Sequence, residues 1–128
     1  MKYLLDTNAF YWVRTSPQML GPAALHLLTS GGHEFFLSTI TPWELAIKAG
    51  VGKLFVDSLL VDFEERESQA GFTMAPITTA QAIRSGLLPS HHRDPFDRLL
   101  VAQALDMSIP IVSIDRTFDL YGVQRIWD

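Results

Sequence analysis

A chain of 128 residues, 48% hydrophobic and 19% charged, suits one domain over residues 1–128 that buries about two thirds of its unfolded surface, and its composition excludes disorder and fibrous repeats. The absence of cysteine excludes disulfides and thiolate metal sites, so a metal has to be held by oxygen ligands with help at most from histidine. The net charge of -4 argues against a broad nonspecific nucleic-acid face, which is built from Lys and Arg, but leaves room for a small acidic site that works through bound cations.

In chain order, Tyr3-Leu4-Leu5-Asp6 is an apolar run that stops at a carboxylate, the pattern of a buried strand delivering Asp6 to a sheet edge. Asp6 comes too early for a signal-peptide core of about 7–15 apolar residues. No stretch approaches the roughly 18 uninterrupted apolar residues of a membrane span, so a cytoplasmic protein is expected. Thr7-Asn8 reads as the cap of a short helix through about Arg14. Pro17 opens a second helical stretch with Leu20, Ala24, Leu27 and Leu28 at helical spacing, ended by Ser30-Gly31-Gly32. Glu34 to Ser38 is the second expected strand.

Thr41-Pro42-Trp43-Glu44 has the form of a helix start: a cap, a proline in the first turn and a glutamate three residues after the cap. This helix is expected to reach Ala49, with Gly50 and Gly52 closing it. Asp57 to Ala70 reads as one amphipathic helix whose solvated side carries Glu64-Glu65-Arg66-Glu67. A third strand over Phe72–Ile77, a short helix over Thr79–Gly86 and a loop over Leu87–Arg93 come next. Asp94-Pro95-Phe96-Asp97 repeats the cap, proline and acid design ahead of the clearest helix in the chain, rich in Leu and Ala and bounded by Pro110. Ile109 to Ile114 reads as a fourth strand ending at Asp115, Arg116 to Tyr121 as a turn or short helix, and Val123 to Trp127 as a final strand. The alternation predicts an α/β fold with a mostly parallel sheet.

Asp6 and Asp115 end apolar strands, while Glu44 and Asp97 sit in the first turns of helices that start with proline. In an open parallel sheet, strand C-terminal ends and helix N-termini share one edge, so these acids can converge there. Each has a structural role open to it as well: Glu44 and Asp97 at helix starts, Asp6 and Asp115 as caps of the next turn of chain. Clustered carboxylates repel unless protons or cations compensate. With oxygen ligands, the expected cation is Mg²⁺ or Mn²⁺, which could align water against a phosphodiester.

The ordered blocks Leu4-Leu5-Asp6-Thr7-Asn8, Thr41-Pro42-Trp43-Glu44-Leu45, Asp94 to Ala104 and Ile114-Asp115 resemble the PIN-domain nucleases, in particular VapC-type toxins of toxin-antitoxin pairs. The resemblance spans essentially the whole chain. It implies a three-layer α/β/α PIN-like fold with about five strands, and a Mg²⁺-dependent endoribonuclease, with Mn²⁺ as substitute. It also implies RNA as substrate, an antitoxin that blocks the pocket, and a homodimer. Carried over, Asp6, Glu44, Asp97 and Asp115 are the metal-binding acids, Asn8 supports Asp6, and Ser113 is the hydroxyl near the final acid or else a small core residue. The acidic balance suits an antitoxin whose inhibitory segment is basic. Alternatives are a PIN nuclease of RNA processing, a phosphoacceptor signalling domain and a catalytically silent module that binds a basic peptide. Arg93, Arg98 and Arg116 are phosphate contacts or local counter-charges. Trp12, Trp43 and Phe96 are expected mainly to pack in the core, and His91-His92 to be solvated.

Overall fold

The computed structural model describes residues 1–52 and 57–128. Its central strand is β1 (Lys2–Leu5). Successive side chains of a strand point to opposite faces, so Leu4 enters one apolar core while Tyr3 and Leu5 enter the other. After β1 come α1 (Thr7–Thr15), a 3-10 turn at Pro17–Met19, α2 (Pro22–Thr29), β2 (Glu34–Ser38) and α3 (Ile40–Gly50). Next are α4 (Asp57–Leu60), α5 (Phe63–Gln69), β3 (Phe72–Ala75), α6 (Thr79–Leu87) and α7 (Pro95–Met107). The short strand β4 (Ile111–Val112), a 3-10 turn at Arg116–Tyr121 and β5 (Arg125–Ile126) end the chain.

The sheet has five strands in the order β3-β2-β1-β4-β5, every neighbouring pair parallel. The chain builds outward from β1 to β3, crosses back and continues with β4 on the other side of β1. The switch point therefore lies between β1 and β4. Their register sets Leu5 beside Val112, so Asp6 and Ser113 leave the sheet side by side. One core packs Leu5, Leu37 and Val112 against Ala9 and Phe10 of α1, Ala24 of α2 and Phe63 of α5. The other packs Leu4, Phe36 and Ile111 against Leu100, Val101 and Ala104 of α7. Helices on both faces of an all-parallel sheet make the three-layer α/β/α arrangement expected from the sequence. No helix among the described residues is long and apolar enough to cross a membrane.

The departures are local. The expected helix over 57–70 is broken, with Asp62 in left-handed backbone (φ 50°) between its halves. Glu67 is not on a solvated side: it is fully buried and receives hydrogen bonds from Arg14, which ties α5 to α1. The third strand stops at Ala75 and the fourth covers only Ile111–Val112. Pro17 opens a 3-10 turn, and the helix proper starts at Pro22. Asp6, not Thr7-Asn8, caps α1.

Gly21 fixes how the C-terminus closes on α2. A Cβ there would lie 2.3 Å from the carbonyl oxygen of Trp127, the same oxygen that accepts the Ala24 amide at 3.0 Å. Gly21→Ala is expected to destabilise the fold by roughly 1–3 kcal/mol. Gly86, in α6 with nothing within 4 Å of its would-be Cβ, is expected to gain roughly 0.5–1 kcal/mol as Gly86→Ala. Urea unfolding of both variants checks the opposite signs.

Candidate active site

Asp6 is delivered by β1 and held as the N-cap of α1. One carboxylate oxygen accepts the Ala9 amide at 2.8 Å and the other accepts the Ser113 hydroxyl at 2.5 Å. Ser113, fully buried, also accepts the Asp115 amide at 2.9 Å, so one hydroxyl joins the ends of β1 and β4. Asp115 caps the 3-10 turn through the Thr117 amide at 2.9 Å. Asn8 is exposed and takes no part in holding Asp6; the supporting residue is Ser113.

Glu44 reaches the same edge by a route that differs from the expected one. α3 begins at Ile40, whose amide is received by the Ser38 hydroxyl at 3.1 Å. Thr41 is therefore inside the helix and buried, its hydroxyl 3.5 Å from that of Thr7. Glu44 lies beyond the first turn and closes no capping box. Its carboxylate is buried: Oε2 pairs with Lys48 at 3.1 Å, one helical turn on, while Oε1 has no hydrogen-bond partner. A buried carboxylate oxygen left unpaired is costly unless something absent from the protein alone satisfies it.

α7 starts as the sequence predicts, with Asp94 accepting the Phe96 amide at 2.8 Å and Pro95 opening the helix. Asp97 in its first turn meets His92, whose Nε2 lies 3.1 Å from Asp97 Oδ2 and 2.7 Å from Asp115 Oδ2. The expectation of solvated histidines fails for His92, while His91 is exposed and edges against Tyr121. Arg98 does not face phosphate: its guanidinium donates to the carbonyls of Leu88, Pro89 and His92 at 2.9, 3.1 and 3.3 Å. Arg93 and Arg116 are exposed. Trp12 leans on Trp127 and Phe96 packs at the edge of a core, but Trp43 is 52% exposed and is not a core residue. Lys48 was readable one turn after Glu44; no sequence signal pointed to His92.

Charge binds these residues into one site. Burial pushes the Asp6 carboxyl up to about 6 against the hydrogen bonds from Ser113 and Ala9, with Asp115 and Glu44 adding to the rise. Burial, then the charge of Asp94, pushes Asp97 up to about 7; His92 opposes this, while Glu44 and Asp6 add to it. For Asp115, burial pulls upward but is outweighed by the Thr117 amide and His92, which leave it below the ordinary carboxylate range. Asp6, Glu44, Asp97 and Asp115 thus influence one another by charge, but Asp6 and Glu44 stand outside the tight cluster. His92, Asp97 and Asp115 present ligand-type atoms within 4.8 Å of one another. This oxygen-rich donor set, together with the orphaned Glu44 oxygen, fits a hard divalent cation.

The sequence profile of the PIN domain matches residues 3–123. No curated protein matches the chain significantly. Among solved structures, VapBC2 from Rickettsia felis bound to a DNA fragment from its promoter is similar, with a TM-score of 0.71, 16% identity and full coverage of both chains. FitAcB from Neisseria gonorrhoeae has a TM-score of 0.67 at 22% identity over 96% of this chain and 95% of that one. A toxin-antitoxin complex from Klebsiella pneumoniae has a TM-score of 0.62 at 17% identity over 89% and 87%. At these identities the likeness is one of fold.

The raised carboxyls set a pH dependence. Between about pH 4 and 7 the folded chain holds protons on Asp6 and Asp97 that the unfolded chain has released, so their contribution to stability falls as pH rises through that window. The loss is up to roughly 1.4 kcal/mol per pH unit for each group. Asp115, held low, has the opposite sign, and its contribution is lost only as pH falls below the unfolded value of about 4. In EDTA, Asp6→Asn and Asp97→Asn are each expected to gain stability relative to wild type as pH rises from 4 to 7. Urea midpoints across that range measure the difference.

Proposed function

The chain belongs to the PIN domain family, a family of nuclease type, and from that premise we propose that it is a metal-dependent endoribonuclease acting as the VapC-type toxin of a toxin-antitoxin pair. What supports the reading is the cluster of Asp97 and Asp115 with His92 within 4.8 Å, the charge coupling of Asp6 and Glu44 to Asp97, and Glu44 Oε1 left buried and unpaired. These four acids would hold Mg²⁺, or Mn²⁺ in its place. When bound, such a cation activates water and neutralises charge on a phosphodiester.

Each residue has a part in this. Asp6 and Asp97 would serve as ligands in their deprotonated forms. The Ser113 hydroxyl keeps Asp6 and the Asp115 backbone in fixed relation. Lys48 answers one oxygen of Glu44, and the other, unpaired, would be available to the cation. RNA is the proposed substrate, and the chain is proposed to act in the cytoplasm as one domain over residues 1–128. The likeness in fold to structures described as VapBC and as a toxin-antitoxin complex supports an antitoxin partner, and the pocket's acidity supports a basic inhibitory segment on it. A homodimer is part of the same reading.

Purified protein is expected to cleave RNA in Mg²⁺, to stop on addition of EDTA, and to lose on the order of a hundred-fold or more in rate as Asp6→Asn or Asp97→Asn. Gel analysis of cleavage under single-turnover conditions reads this. Activity that survives EDTA and both substitutions would falsify the metal mechanism.

A further inference from the structure

His92 stands among the acids without belonging to them. One nitrogen, Nε2, spans Asp115 at 2.7 Å and Asp97 at 3.1 Å. The loop that carries it is tied down. The His92 amide donates to the Tyr121 hydroxyl at 2.8 Å, which in turn donates to the Pro89 carbonyl at 2.7 Å. Arg98 gathers the carbonyls of Leu88, Pro89 and His92. The imidazole is thus placed there by its backbone.

Two roles suit a nitrogen in that position: a ligand to the cation, or a donor that fills the cation's place. The other ring nitrogen decides between them. Nδ1 faces the Asp94 amide at 3.4 Å, a donor, which makes Nδ1 the acceptor and puts the proton on Nε2. A ligating histidine needs the reverse, a lone pair on the metal side and its other N–H aimed at a carboxylate or carbonyl. Nor do the acids need His92 to position them. Asp115 is held through Oδ1 by Thr117, and Asp97 is fixed in the first turn of a helix with its own cap.

Resting on the cation site proposed above, we propose that His92 is a positioning residue that acts as an internal placeholder. Its Nε2–H bridges Asp97 and Asp115 in the cation-free protein and is displaced when a divalent cation binds. His92 stabilises the cation-free state, and whatever stabilises that state alone weakens binding to the other. The acids stay satisfied while the site waits for its cation, at a cost in affinity.

The test is a calorimetric titration of the full chain with Mn²⁺ alone and with Mg²⁺ alone, for wild type, His92→Ala and His92→Gln. His92→Ala is expected to bind Mn²⁺ on the order of ten-fold more tightly, the scale of one lost hydrogen bond to a charged group. His92→Gln, whose amide can still donate, is expected to stay near wild type. Weaker or unchanged binding by His92→Ala overturns the placeholder and leaves the four-acid site standing. Should the variants fold poorly, pulsed electron paramagnetic resonance of Mn²⁺ on the wild type decides: no imidazole nitrogen coupling is expected, and its presence makes His92 a ligand and overturns the inference. Binding of Mn²⁺ by none of the proteins sinks the cation site itself, and the placeholder with it.

Discussion

Everything at the working edge stems from like charges crowded where parallel strands end. For Asp6, Asp97 and Asp115 the topology sets the place, because an acid that ends a strand or opens the next helix projects from the same edge. Each charge then has to be answered in a setting where water is scarce. The answers differ: Asp6 has a hydroxyl and an amide, Asp115 an amide and His92, Glu44 has Lys48 on one oxygen only, and Asp97 has His92 and a carboxyl pushed up to about 7. Because those partners come from α1, α3, the loop before α7 and the segment after β4, balancing the charge also locks these elements together.

Much of the fold is legible in the sequence, for identifiable reasons. Glu34–Ser38 came out with its true bounds because Phe35-Phe36-Leu37 is a dense apolar run preceded by the Gly31-Gly32 turn. α7 was readable because a capping Asp, a first-turn Pro and a Leu/Ala-rich body agree at every level. The four acids could be named as candidates because Asp6 and Asp115 follow apolar runs and Glu44 and Asp97 follow a Thr-Pro and an Asp-Pro pair.

What escaped the sequence was decided by tertiary contact. Thr41 and Glu44 have the spacing of a capping box, yet Ser38 at the end of β2 supplies the hydroxyl that starts α3 earlier, which turns Glu44 into a buried acid. Glu67 looked solvated among Glu64, Glu65 and Arg66 until Arg14, 53 positions away in the chain, proved to be its partner. Ser113 was marked as a core residue or a site hydroxyl, and only the Leu5–Val112 register resolves it as both buried and bonded to Asp6. His92 obeys no periodicity at all. Its place is set by backbone carbonyls gathered on Arg98, an arrangement that composition and spacing do not encode.

Within the proposed function, this charge balance bears on substrate and inhibitor alike. The site answers its acids from within while leaving Glu44 Oε1 bare and the Asp97 carboxyl pushed up to about 7. A divalent cation held there would lower the proton affinity of Asp97 and offer positive charge to the orphan oxygen. Naked RNA does neither and is repelled, so the cation has to precede it. A guanidinium or ammonium from a partner's basic arm offers hydrogen bonds and positive charge to the same oxygens. In the proposed function, cation and basic arm would thus answer the same unmet charge.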